Sequence, residues 1–159
     1  MKPSNKVLES RTVRRVGAVV VSLFALCGGV APAHAQATMP NACPVDGCEV
    51  RIVEVERNGD ELQLTFKANF SPDLSKNHIH IWWGESFTVK QVSRNAEPVH
   101  NVKQGAWHLT DDYPSYTTQG PASVGARDGA KSLCVSTSDR NHNIIDVNAF
   151  HCVDVSDKL

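Results

Sequence analysis

The stretch CEVRIVEVERNGDELQLTFKANF, at residues 48–70, is the feature that most constrains the fold. Apolar and polar residues alternate along its two arms with the period of two that is typical of strands burying one face. The alternating apolar positions are Val50, Ile52, Leu62, Leu64, Phe66, Ala68 and Phe70. Between the arms lies Asn58-Gly59, which favours a tight hairpin turn because both residues tolerate positive φ. The stretch therefore predicts an antiparallel β-hairpin.

A second hairpin is predicted near the C-terminus, and its cysteines specify the register. It occupies SLCVSTSDRNHNIIDVNAFHCVDV, residues 132–155. If Cys134 and Cys152 lie opposite one another, the turn centres on Asn143, inside the turn-forming stretch DRNHN. Both cysteines then fall on the more polar face, where a cross-strand disulfide would stabilise the fold by about 3 kcal/mol.

The first 35 residues have the organisation of a secretory signal peptide. Five basic residues precede an apolar run at residues 16–30, and Ala33 and Ala35 complete an Ala-x-Ala cleavage pattern. The run has about 15 residues, fewer than the roughly 20 that a membrane-spanning helix needs. We expect residues 1–35 to be removed on export, leaving a periplasmic or extracellular chain without a membrane span.

Removal of this segment changes the charge of the protein. Of the 159 residues, 124 remain after the first 35 are lost, the size of one domain. Five basic residues and one acidic residue leave with the segment, so the net charge changes from −1 to −5 at pH 7. An acidic chain without a basic patch argues against nucleic acid or an anionic membrane as a partner.

The cysteines of the remaining chain predict disulfides. Once Cys27 leaves with the signal peptide, four remain: Cys43, Cys48, Cys134 and Cys152. In an exported protein an even number indicates two disulfides, and four cysteines can pair in three ways. The turn residues of CPVDGC favour a small closed loop, and the C-terminal hairpin favours the other pair. The spacings do not match the paired C-x-x-C knuckles of a four-thiolate zinc site.

Two hairpins, an apolar strand at HIHIWW and frequent turn residues predict an all-β fold. The expected architecture is an antiparallel β-sandwich of the immunoglobulin-like kind with about seven strands, and a small β-barrel is the alternative. We expect residues 36–48 to form an N-terminal lead and a disulfide loop, and residues 49–159 to form the sandwich.

The stretch NHIHIWW carries the strongest chemical signal. Residues two apart on a strand share a face, so His78, His80 and Trp82 face away from Ile79 and Ile81. Neutral imidazoles at this spacing can reach one zinc or copper ion. A third ligand is needed, and we take His108 as the leading candidate. The others are His100, His142, Asp111 and Asp112. The alternative is a structural pair of histidines bonded to loop residues or water.

Aromatic residues supply a different hypothesis. Trp82, Trp107, Tyr113 and Tyr116 could bind a sugar or a peptide, since Trp and Tyr combine an apolar ring with a polar group. Alternatively, the loop aromatics close one end of the sandwich. Enzymatic activity is not predicted, because the chain lacks a G-x-S-x-G elbow, an H-E-x-x-H motif and a phosphate-binding glycine loop.

The motifs NHIHIWW, GAW, GAKSLCV and FHCVDV together resemble a group of uncharacterised exported bacterial proteins. These proteins share an Asn-His-Ile-His strand and a cysteine-bearing C-terminal hairpin. The resemblance spans residues 77–155. It implies secretion and a β-sandwich, and it implies no activity.

Three functional hypotheses follow. The first is an exported, disulfide-stabilised binding or structural module for a small molecule, glycan or protein. The second is a periplasmic copper- or zinc-binding protein that uses His78 and His80. The third is a carbohydrate- or peptide-binding surface at Trp107 and Tyr113. The metal hypothesis requires another His or Asp side chain within reach of both histidines, whereas the third requires an exposed, concave aromatic patch.

Overall fold

The computed structural model describes residues 41–159. The predicted signal peptide at residues 1–35 and the beginning of the N-terminal lead lie outside the described residues. Seven strands are present, as the sequence predicts: β1 Val50–Asn58, β2 Glu61–Ala68, β3 His78–Trp83, β4 His108–Thr110, β5 Ser115–Thr117, β6 Ser132–Ser138 and β7 Phe150–Asp154. Helical structure is limited to α1, Ala96–His100, and four 3₁₀ helices at Val89–Val92, Gly120–Ala122, Val124–Ala126 and Ser156–Lys158.

The strands form two sheets in which every pairing is antiparallel. One sheet has three strands in the order β1-β2-β5, and the other has four in the order β4-β3-β6-β7. The all-β prediction is therefore confirmed. Among the described residues, no helix is long and apolar enough to span a membrane.

The first hairpin is present, but it turns at Gly59-Asp60, one residue later than the predicted Asn58-Gly59. Asn58 pairs with Glu61, and Gly59 has a φ of 63°, which explains the need for glycine. A β-bulge between Ile52 and Glu54 inserts one extra residue. Val53 is 57% exposed, as alternation with the buried Ile52 requires, but Glu54 is exposed as well and partial burial resumes at Val55. The bulge thus accounts for the interruption in the alternating pattern of β1.

The main core contains residues of both sheets. Leu62 and Leu64 of β2 belong to the same buried cluster as Ile79, Ile81 and Leu133 of the four-stranded sheet. Ile79 and Ile81 are on the core face of β3, as their alternation with the histidines predicts. Burial of such aliphatic side chains is the main source of folding free energy, about 1.5–3 kcal/mol for each.

A second, smaller cluster covers the other face of the four-stranded sheet. Trp82, Cys134 and Ile144 are buried in it with Val92 of the first 3₁₀ helix. The covering residues come from the chain between β3 and β4 and from the loop between β6 and β7. Every side chain of β3 is therefore buried, on one face by the main core and on the other by this second cluster.

Both predicted disulfides are present, joining Cys43 to Cys48 and Cys134 to Cys152. Cys134 also lies directly opposite Cys152 in the β6–β7 ladder, which is the predicted register. The disulfide packs so close to Gly84 that a Cβ atom there would lie 2.5 Å from the Cys134 sulfur. Any larger residue at Gly84, just after β3, would therefore clash with the disulfide.

We predict that the two disulfides contribute unequally to stability. Replacing Cys134 and Cys152 together by alanine should lower the free energy of unfolding by about 3 kcal/mol, because their closed loop is the longer one. The matched control, a double serine variant of Cys43 and Cys48, should lose about 2 kcal/mol on the same chain-entropy model. Urea denaturation measures both values. A larger loss in the control would contradict this assignment.

Candidate metal centre

Strand β3 holds two histidines side by side within the protein. His78 and His80 lie on the face of the four-stranded sheet that the second cluster covers, and neither is exposed to solvent. Their ring centroids are 5.3 Å apart, as expected for residues two apart on a strand. Strand geometry and burial therefore bring both imidazoles to the same covered region.

His142 is the third member of this group. It lies in the loop between β6 and β7 and is half-buried. Its Nδ1 is 3.0 Å from Nε2 of His78. His78, His80 and His142 each offer one ring nitrogen, and these three nitrogens all lie within 4.8 Å of one another. The requirement for a third side chain near both strand histidines is met.

A tight turn orients His142. The Asp139 carboxylate accepts backbone hydrogen bonds from Asn141 at 2.8 Å and from Asn143 at 3.0 Å, and His142 N–H donates to the Asp139 carbonyl at 2.9 Å. His142 itself has a φ of 64°, in the left-handed region that few residues other than glycine adopt. Such conformations cost free energy and are concentrated at functional sites. The turn uses the Asp and Asn residues of DRNHN to hold a histidine in a sterically unfavourable conformation.

A short segment that we call the strap, residues 92–95, connects the two parts of the site. The Val92 carbonyl lies 2.7 Å from Nδ1 of His80. The backbone N–H of Arg94 donates to the His142 carbonyl at 2.9 Å. The Ser93 hydroxyl accepts a hydrogen bond from the backbone of the β6–β7 loop at 2.9 Å. The strap thus contacts one strand histidine and the loop histidine together.

The contact with the strap determines the tautomer of His80. A carbonyl can only accept, so Nδ1 of His80 carries the proton and donates it to Val92. Nε2 of the neutral ring is then left with a lone pair, and it is buried without a hydrogen-bond partner. A histidine that donates one ring proton to a carbonyl and keeps the other nitrogen free has the arrangement found in metal ligands.

The buried histidines are held neutral. Burial lowers the pKa of His80 to about 3, and repulsion from His78 and His142 acts in the same direction. Burial also lowers the pKa of His78, with repulsion from His142 the next contribution, while the carboxylates of Asp139 and Asp111 act in the opposite direction. At neutral pH both strand histidines are therefore in the unprotonated form that binds metals.

Aromatic residues cover the site. The indole of Trp107 stacks on the ring of His80, with centroids 3.9 Å apart and an interplanar angle of 15°. Trp82, the next residue on the same face of β3, donates its indole N–H to the Phe87 carbonyl at 2.9 Å. The predicted strand therefore contributes both the histidines and part of their apolar cover.

His108, the leading candidate for the third ligand, lies on the other face of the sheet. It pairs with Ile81 in the β3–β4 ladder, so its side chain shares the core face of Ile81 rather than the face of the strand histidines. Its ring is 5.7 Å from that of Tyr116. The cluster takes its third nitrogen from His142, and it includes neither His108 nor the other candidates, which are His100, Asp111 and Asp112.

The four aromatic residues proposed for ligand binding are not gathered on one surface. Trp82 and Tyr116 are each only 1% exposed and belong to different buried clusters. Tyr113 packs against the main core, and its hydroxyl accepts a hydrogen bond from Ala68 N–H at 3.4 Å. Trp107 lies over His80. The geometry therefore assigns these rings to packing and to covering the histidines.

Comparisons with known protein families, with curated protein sequences and with solved structures found no match. Function must therefore be inferred from the chemistry of the site itself.

The low pKa of His80 predicts that the metal-free protein is destabilised by acid. The unfolded chain takes up the His80 proton near pH 6.5, whereas the folded protein resists it down to about pH 3. Stability contributed by the neutral ring is therefore complete above pH 6.5 and is lost as the pH falls. His80 alone should account for about 2 kcal/mol between pH 7 and pH 5.

Urea unfolding at several pH values in the presence of a chelator measures this loss. His80→Gln is the matched variant, because an amide can still donate to the Val92 carbonyl but does not titrate. Between pH 7 and pH 5, the free energy of unfolding of the variant should fall by about 2 kcal/mol less than that of the wild type. An identical pH dependence in both proteins would contradict the assignment.

Proposed function

We propose that the protein is an exported metal-binding protein with a mononuclear site formed by His78, His80 and His142. The observation that carries this proposal is the convergence of three imidazole nitrogens within 4.8 Å of one another. Nε2 of His80, the ring nitrogen that does not face the Val92 carbonyl, is a buried lone pair without a partner. Neutral imidazoles are ligands for zinc and copper, and three of them suffice for a mononuclear site with one further position.

The concentration of unpartnered polar atoms supports a bound ion over a purely structural histidine pair. Among the described residues, Nδ1 of His78 and Nε2 of His80 are buried ring nitrogens without a hydrogen-bond partner. A purely structural role is not satisfied by the contact between His78 and His142, because Nδ1 of His78 stays unpartnered beside it. It would leave Nε2 of His80 uncompensated at a cost of about 1–3 kcal/mol. A metal ion supplies the missing partner.

The distances are compatible with coordination after small side-chain movements. Nitrogens bound tetrahedrally at about 2.0 Å from zinc lie roughly 3.3 Å from one another. His78 and His142 are already at 3.0 Å, and no separation in the group exceeds 4.8 Å. Because His142 is on a loop, its ring is the one best able to adjust.

Burial favours metal binding over catalysis on a bound substrate. His78 and His80 are inaccessible to solvent, so a substrate could reach an ion there only if the strap or the β6–β7 loop moved. Enzymes that use zinc generally keep one coordination position open to substrate. The covered site is better suited to holding, storing or transferring a metal.

Export is proposed because two disulfides link the described cysteines. Disulfides form and persist in oxidising compartments such as the periplasm or the extracellular space. The organisation of residues 1–35 and the resemblance to exported bacterial proteins point to the same location.

The finer architecture is proposed to be an immunoglobulin-like sandwich. The chain alternates between the sheets: β1 and β2 lie in one, β3 and β4 in the other, β5 alone in the first, and β6 and β7 in the second. This order resembles the arrangement of immunoglobulin-like domains, in which chain crossovers link two antiparallel sheets.

Metal titration tests the proposal. The purified protein should bind one equivalent of Zn²⁺ or Cu²⁺ by calorimetry, and His142→Ala should weaken binding at least about 100-fold, because losing a ligand costs more than the 10–100-fold typical of an outer-shell partner. His108→Ala is the matched control, since this residue lies on the other face of the sheet. Equal weakening by both substitutions, or no binding by the wild type, would overturn the proposal.

Asp139 should act as a positioning residue through the turn that holds His142. Asp139→Ala removes the acceptor of two backbone hydrogen bonds and should weaken metal binding about 10–100-fold. Asp139→Asn keeps an acceptor oxygen and should retain most of the affinity. Equal losses in the two variants would indicate that the charge of Asp139 matters rather than the turn. An unchanged affinity in Asp139→Ala would contradict the positioning role.

A further inference from the structure

Trp107 has a feature that packing alone does not explain. Its indole stacks on His80 at 3.9 Å and lies 6.0 Å from the ring of His142, so it borders two of the three proposed ligands. Its Nε1 is buried without a hydrogen-bond partner. A buried indole usually bonds its N–H, as Trp82 and Trp83 do here. Trp107 therefore presents its aromatic face to the histidines while its N–H remains unpaired.

The ligand set carries no negative charge. Within residues 41–159 the cluster consists of three histidines and contains no Asp, Glu or Cys. The Asp139 carboxylate is outside this set, and one of its oxygens accepts two backbone hydrogen bonds. An ion in this site consequently keeps its full charge in a covered location. The cost of burying a charge rises with its square, so a monovalent ion incurs about a quarter of the cost of a divalent one.

The number of ligands also favours a monovalent ion over a divalent one. Zinc sites in proteins have four ligands, and here the fourth would have to be a water molecule admitted to a covered site. Cu⁺ is stable with two or three ligands and needs no such water. Three neutral imidazoles from His78, His80 and His142 satisfy it completely.

The indole face adds an attraction that does not use a coordination position. An ion about 2 Å from Nε2 of His80 stays near the plane of that ring, and the Trp107 ring is stacked parallel to it. This places the ion within the roughly 6 Å over which an aromatic face attracts a cation, and Trp is the strongest residue in this role.

From these observations we infer that the site is selective for Cu⁺ over Zn²⁺ and that Trp107 increases its affinity for the bound ion. The inference rests on the proposed metal-binding function. Three neutral ligands and a covered location together favour a monovalent ion of low coordination number, and the adjacent indole face adds to its binding.

Competition titrations of the disulfide-bonded protein test this inference. Cu⁺ is supplied under nitrogen with ascorbate, which leaves the disulfides intact, and its affinity is measured against bicinchoninate. Zn²⁺ affinity is measured against a chromophoric chelator. We expect Cu⁺ to be held at least about 100-fold more tightly than Zn²⁺. Trp107→Leu should weaken Cu⁺ binding about tenfold, with Trp107→Phe between the leucine variant and the wild type.

The outcomes distinguish failure of the proposed metal site from failure of the proposed selectivity for Cu⁺. Absence of binding by either ion would overturn the proposed function itself. Binding of Zn²⁺ that depends on His142 and equals or exceeds that of Cu⁺ would leave the metal site intact and overturn the selectivity for Cu⁺. Tight Cu⁺ binding that Trp107→Leu and Trp107→Phe leave unchanged would overturn the role of Trp107. The Cu⁺ and Zn²⁺ affinities of the wild-type protein test the selectivity even if the leucine variant fails to fold.

Discussion

Burial of β3 on both faces is the constraint on which the rest of the structure depends. One face supplies Ile79 and Ile81 to the main core, and the other presents His78 and His80 to a second cluster. A polar ring in such a location must find a partner, because an unsatisfied buried group costs free energy. The strap satisfies one nitrogen of His80 through the Val92 carbonyl and leaves the other available. The proposed metal site is a consequence of placing histidines on a strand that is buried on both faces.

The covering segments also explain how distant parts of the chain meet at the site. The strap follows β3 and contacts the loop after β6, so it links the strand histidines to His142. The disulfide between Cys134 and Cys152 closes the hairpin that carries this loop. Metal binding would therefore connect three segments that the fold already holds together, and the unfavourable φ of His142 is maintained by the Asp139 turn rather than by the ion.

Much of the fold was predictable because its signals are local. Alternation and Asn58-Gly59 specify the first hairpin, and the paired cysteines specify the register of the second. The position of His142 beside His78 and His80 was not predictable, because it depends on which strand pairs with β3. His78 pairs with Ser138 at the end of β6, so the turn that follows, with His142, lies beside it. His108 is carried by β4 on the other side of β3 and faces the core, a one-residue difference in register that the sequence does not reveal. The stacking of Trp107 likewise requires the tertiary structure.

Anomalous diffraction from a metal-loaded crystal, recorded at the absorption edge of the ion, is the most direct test of the central claim. We expect one strong anomalous peak among the rings of His78, His80 and His142, about 2 Å from a nitrogen of each. Nε2 should be the ligand atom of His80, because Nδ1 is occupied by Val92. A peak elsewhere on the protein, with the His80 lone pair still unpartnered, would contradict it.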